Sequence, residues 1–140
     1  MDARYDSFLQ YIKQCYKRNI DIIQEKQAVQ ISLPMNDNGE VVYDIVFKEE
    51  CIDKVYVIAF WGYINYLTKE LFVEIGRCNE LSADCTYVVH KTKKGTIIRV
   101  TKEVPAFSDN NTRNLRIMEE LKDMHREIEN NINRLISLWN

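Results

Sequence analysis

Only four glycines and two prolines punctuate these 140 residues, and the glycines, at positions 39, 62, 76 and 95, stand singly. No glycine-rich loop is available to cradle a phosphate. Histidine occurs twice and cysteine four times. Cys15, Cys51, Cys78 and Cys85 are far apart and form no C-x-x-C pair, so neither a zinc site nor any other cofactor is expected. The four read as free thiols, mostly buried, in a reducing compartment. Charge of one sign is not in excess: the net charge is -2, which points to neither nucleic acid nor an anionic membrane. Long apolar runs are missing too. The most apolar one, Val55 to Leu67, is interrupted by Gly62 and Asn65 and falls short of the ~18 residues of a membrane span. Met1 to Asp6 lacks the apolar core of a secretory signal, and the expected location is the cytoplasm.

What is present is an ordinary globular composition, 46% hydrophobic and 29% charged, at a length that suits a single domain, residues 1–140. The strongest pattern is the last one. Met118, Leu121, His125, Ile128, Ile132, Leu135 and Trp139 recur at steps of three and four, the stripe of an amphipathic helix that is apolar everywhere except His125. Ser108 can cap its start, just after Pro105. A straight helix from there to Asn140 would be roughly 46 Å long, whereas a compact chain of this size is about 37 Å across. Either the helix bends or breaks near Asn130-Asn131 and packs on its own sheet, or its end, Leu135 to Trp139, meets a second subunit or a partner.

A first helix is expected from Asp2 to Arg18, with Tyr5, Phe8, Leu9, Ile12, Cys15 and Tyr16 at helical spacing and Asn19 as its terminator. Alternation then predicts a short strand at 20–24 and a longer one at 28–34, unless the first helix runs on through Glu25-Lys26-Gln27. Asn36-Asp37-Asn38-Gly39 is a turn, and Val41 to Phe47 a strand with Tyr43, Ile45 and Phe47 on one face. Val55 to Tyr63 is apolar on both faces, as a central strand is when covered on both sides or covered on one and paired on the other. A second helix from about Leu67 to Glu80, capped by Asn65 or Thr68, carries the stripe Leu67, Leu71, Ile75 and Cys78. Asp84 to Lys91 and Gly95 to Val104 form a hairpin around Thr92-Lys93-Lys94-Gly95. The order is α-β-β-β-β-α-β-β-α: an α+β fold with an antiparallel sheet of five to six strands and helices packed on it.

This order, over nearly the whole chain, resembles the YbjN family of candidate bacterial sensory-transduction regulators, whose fold is similar to that of type III secretion chaperones. The local motif in that family is N-x-x-N at the end of the middle helix, followed by a strand and a glycine hairpin. Here the matching stretch is Ile75-Gly76-Arg77-Cys78-Asn79, then Cys85 to Val89 and the Lys94-Gly95 turn. Asn79 matches, and Gly76 stands where the first asparagine would be. The resemblance implies a non-enzymatic module that binds protein, often as a dimer, and carries over no catalytic residue.

Residues able to do chemistry are poorly placed for it. Cys85 and His90 lie five apart on a strand, hence on opposite faces. His125 reads as a hydrogen-bonded residue at a helix–sheet boundary, with a pH-sensitive contact as the other reading. Glu49-Glu50 and Glu119-Glu120 read as solvated faces. Lys91, Lys93, Lys94, Arg99 and Lys102 read as a solvated hairpin whose lysines discourage edge pairing, with no aromatic among them for base stacking. Phe60, Trp61, Tyr63 and Tyr66, with Leu135 and Trp139, are the candidate interface, since tryptophan and tyrosine are enriched where proteins meet; ordinary core is the alternative. The leading expectation is a non-enzymatic, homodimeric protein-binding module of chaperone, adaptor or regulator type. An immunity-type toxin-neutralising or ligand-sensing domain is the second reading, and an enzyme with an unrecognised site the third.

Overall fold

The structure is a computed structural model that describes residues 2–15, 20–23, 27–35, 39–64, 69–93, 95–105 and 109–139. Of 20–23, 62–64, 91–92, 95–96, 132–133 and 135–139 only the backbone is described. The elements are α1 (Ala3–Cys15), β1 (Ile20–Ile23), β2 (Ala28–Pro34), β3 (Glu40–Val46), β4 (Lys54–Ile64), α2 (Lys69–Leu81), β5 (Cys85–Thr92), β6 (Gly95–Pro105) and α3 (Asn110–Trp139). The order is the one expected from the sequence. The strand β1 replaces a continuation of the first helix. Asn19, Asn36 to Asn38, Asn65, Tyr66, Thr68, Lys94 and Ser108 lie outside the described residues.

Six strands form one antiparallel sheet in the order β1-β2-β3-β4-β6-β5. Its edges are therefore the short β1 and β5. The β2–β3 hairpin closes with the Met35 amide donating to the Gly39 carbonyl at 2.8 Å. Gly39 there takes a φ of +83°, a conformation that its missing Cβ permits. The β5–β6 hairpin pairs Thr92 with Gly95 directly.

Register explains which side chains meet. One row runs Ile31, Tyr43, Ala59, Val100, Tyr87 across five strands, and the next runs Val29, Ile45, Val57, Lys102, Cys85. All ten are buried, and nine of them join Phe8 and Ile12 of α1, Leu71 and Ile75 of α2, and Ile117, Leu121, Met124 and Ile128 of α3 in one core. Each large aliphatic or aromatic side chain so buried contributes roughly 1.5–3 kcal/mol. The helices therefore pack on one face of the sheet.

The final helix is continuous through Asn130 and Asn131 for its 30 residues and does not break there. Asp109 caps it, taking the Thr112 amide on Oδ2 at 2.9 Å and the Thr112 hydroxyl at 2.7 Å. It is tied to α1 where Asn114 donates to the Ser7 hydroxyl at 3.0 Å, and to α2 where Arg134 Nε lies 3.5 Å from Glu74. Both contacts keep a helix about 45 Å long against its own domain over most of its length.

Candidate functional site

The opposite face of the sheet follows from the same register. Side chains alternate across a strand, so the complementary rows are Ser32, Val42, Phe60, Arg99, Val88 and Gln30, Asp44, Ile58, Thr101, Thr86, with Val46, Tyr56 and Glu103 below them. Val42, Val46, Tyr56, Ile58, Phe60 and Ile97 are only half-buried. The central strand is thus covered by helices on one side and presents apolar side chains on the other. This is an apolar, two-dimensional platform, not a cavity. Its polar members are mostly engaged: Asp44, 8% exposed, accepts a hydrogen bond from Gln30 Nε2 at 2.9 Å, and Lys54 pairs with Glu103 at 3.2 Å. The Lys48 ammonium sits over the Tyr56 ring, 4.8 Å from its centroid.

Among the residues singled out from the sequence, Phe60 is on this open face. Trp61, next along the strand, points the other way and is 6% exposed in the core. The side chains of Tyr63, Leu135 and Trp139, and all of Tyr66, lie outside the described residues. The structure therefore separates Phe60 from Trp61. It supplies new neighbours for Phe60 on β3 and β6, Val42 and Arg99, with Val88 of β5 beyond Arg99, which no local pattern could join to it.

Exposed apolar side chains also occur on α2. Phe72, Val73 and Leu81 are 52%, 65% and 68% exposed. The inner side of α2 is held differently: Asn79 Nδ2 donates to the Tyr87 carbonyl at 2.9 Å and its Oδ1 accepts the Tyr87 amide at 2.6 Å. Tyr87 is on the edge strand, so Asn79 satisfies backbone groups that would otherwise template a further strand. Ser82 does the same for the Cys85 amide at 3.0 Å.

Polar groups between the sheet and the helices form partly buried networks. Tyr87 donates its hydroxyl to Glu127, which also accepts from Ser82 at 3.0 Å, while Asn131 donates to the Tyr87 oxygen at 2.9 Å. The notch beside them, lined by Cys78, Leu81, Ser82, Glu127, Asn130 and Asn131, encloses about 150 Å³. Ligand pockets usually measure at least about 300 Å³, and here the polar groups are spent on one another. In another network Lys102 pairs with Glu120, which also holds Arg116 at 2.8 Å. Lys102 is 7% and Glu120 8% exposed, so neither belongs to the solvated surfaces expected for the basic hairpin and the Glu119-Glu120 pair. The reason is register: Lys102 stands between Val57 and Cys85 on the helix-facing side. Burial pulls its ammonium down, but the hydrogen bond and charge of Glu120 outweigh that and raise it.

His125 occupies the helix–sheet boundary: Nδ1 meets the Tyr43 hydroxyl at 2.6 Å, and Nε2 faces both the Pro34 carbonyl at 3.0 Å and Glu129 at 2.8 Å. Cys85 and His90 are on opposite faces of β5. Burial first, then the charge of Glu127, pushes the Cys85 thiol up to about 11, the reverse of what an attacking thiol needs. Of the four free cysteines Cys78 and Cys85 are buried, Cys51 is half-buried and Cys15 exposed, fewer buried than expected. Among the described residues no group of three acidic, histidine or cysteine side chains is placed to hold a metal ion, and no helix is long and apolar enough to cross a membrane.

No family model and no curated protein matches this sequence. Among solved structures it is similar to the crystal structure of YbjN from E. coli, described as a candidate transcription regulator. The two share 12% identity, the match covers 94% of this chain and 90% of that one, and the TM-score is 0.66. At that identity the likeness is one of fold, and a fold hosts many functions.

Proposed function

We propose that this chain is a non-enzymatic adaptor or regulator module that works by binding another protein across the open face of its sheet. The observation that carries this reading is Val42, Phe60 and Ile58 at the centre of the sheet, with Val88 beyond Arg99 on the edge strand: apolar side chains left half-buried or exposed on the face opposite the helices. Contiguous apolar surface of this kind marks interaction sites. The YbjN-like fold supports the reading as far as a regulator or adaptor role.

Panning a library of displayed random peptides against the purified chain tests it. Phe60→Thr removes the ring but keeps a β-branched residue suited to a central strand. Selected peptides should bind the parent chain and lose most of their affinity for Phe60→Thr, while Phe72→Ser on α2 leaves them bound. Peptides that ignore Phe60→Thr would overturn the assignment.

Self-association is the second part of the proposal, supported by Phe72, Val73 and Leu81 on α2. Light scattering should then give a mass near twice 16.6 kDa that Phe72→Ser reduces to the single-chain value. A parent chain that is already monomeric would remove the homodimer and leave the open face untouched.

A further inference from the structure

Arg99 is the odd residue on the open face. It lies directly across from Phe60 on one side and Val88 on the other. Its Nε is buried and has no hydrogen-bond partner among the described residues. The acids on this face do not pair with it: Asp44 accepts from Gln30, Glu103 is paired with Lys54, and Glu40, two residues from Val42 on β3, forms no ion pair with it. A guanidinium nitrogen withdrawn from water and left unpaired is unfavourable by the desolvation cost of that group. The terminal nitrogens of the same guanidinium are not among the buried atoms, so an arriving carboxylate can accept from both of them and offset part of that cost. Lys93, just beyond β5 at the hairpin end, is exposed and adds a second positive charge on that side.

We infer that the open face takes a segment of a partner protein in which an acidic side chain is flanked by apolar ones, the carboxylate docking on the terminal nitrogens of Arg99 while its neighbours cover Phe60, Val42 and Val88. This rests on the open-face reading above and adds the chemistry of the partner. The apolar contacts supply area, and Arg99 supplies selection: a segment with a basic residue at that point would bury two like charges together.

Two synthetic twelve-residue peptides with the same leucines test the inference, one alternating leucine with glutamate and the other leucine with lysine. Each is titrated into isotope-labelled protein while the Arg99 Nε–H signal and the methyl signals of Val42, Ile58 and Val88 are followed. The glutamate peptide should shift all four signals. The lysine peptide should leave them in place, and Arg99→Gln should weaken binding of the glutamate peptide by about tenfold or more. Equal binding of the two peptides, or an unchanged affinity in Arg99→Gln, would overturn the acidic partner while keeping the open face. Shifts confined to Val73 and Leu81 on α2 would overturn the open-face reading itself. The absence of shifts with either peptide would overturn both.

Discussion

Tyr43 on β3 and His125 on α3, 82 residues apart, meet hydroxyl to Nδ1 at 2.6 Å. Because Nε2 faces a carbonyl and a carboxylate, the ring proton belongs on Nε2, and Nδ1 accepts from Tyr43. Burial, followed by the charges of Glu129 and Cys85, keeps the Tyr43 phenol far above its ordinary range and hence protonated as the donor. His125→Ala strands a buried hydroxyl and should cost about 1–3 kcal/mol, whereas Tyr43→Phe should cost about 0.5–1.5 kcal/mol. Urea unfolding of both single variants and the double variant should show coupling of at least about 0.5 kcal/mol. Strict additivity would mean that the contact contributes nothing.

Arg4 gathers the β3–β4 connection. Its guanidinium donates to the carbonyls of Lys48, Cys51, Ile52 and Lys54 at 2.9–3.1 Å while holding Asp2 at 2.7 Å. A lysine carries the charge but not the fork. Arg4→Lys should therefore lose most of what Arg4→Ala loses, about 2 kcal/mol or more. Amide hydrogen exchange in residues 48–54 should accelerate in both. A fully stable Arg4→Lys would mean that charge alone suffices.

The Lys102–Glu120 pair predicts an asymmetry. Lys102→Met leaves Glu120 still bound by Arg116, but Glu120→Gln leaves Lys102 with only the exposed Asp84, 3.8 Å away. An uncompensated buried charge costs about 3–5 kcal/mol, so Glu120→Gln should be the more destabilising variant in thermal unfolding. Equal losses would place Lys102 in water.

Much of this architecture is legible in the sequence, because alternation and the three-four stripe are local. The faces of β3 can be read from Tyr43, Ile45 and Phe47, and the stripe of α3 from Leu121 to Ile128. What is not legible is long-range. Lys102 looks like one more lysine of a basic hairpin until register sets it beside Val57, and Glu120 looks solvated until that lysine arrives. Phe60 and Trp61 form one aromatic group along the chain, yet a strand must send them to opposite faces. Asn79 was marked by its motif, but its work at the edge of β5 depends on where Tyr87 lies. The polarity of His125 is visible on the stripe; its partner on β3 is not.

Alkaline conditions should unfold the chain early. The Cys85 thiol rises from an ordinary value of 9.0 to about 11, so the folded state keeps a proton that the unfolded state gives up. Its contribution is full below pH 9 and is lost as pH rises towards 11, about 2–3 kcal/mol in all. Tyr87, raised by burial and by Glu127, acts in the same direction. Urea midpoints at pH 7, 9 and 10.5 should fall, and less steeply in Cys85→Ala. At pH 8 Cys15 should react with a thiol reagent at once, and Cys78 and Cys85 only on unfolding. Rapid labelling of Cys85 in the native chain would contradict its burial.

The most direct measurement is the affinity of one selected peptide for the parent chain, Phe60→Thr and Phe72→Ser, read by calorimetry under identical conditions. If the open face of the sheet is the working surface, Phe60→Thr weakens binding by at least about tenfold, as expected for removing an aromatic side chain from the centre of an interface, and Phe72→Ser binds like the parent. Unchanged binding to Phe60→Thr together with loss in Phe72→Ser would move the site to α2 and contradict the central claim.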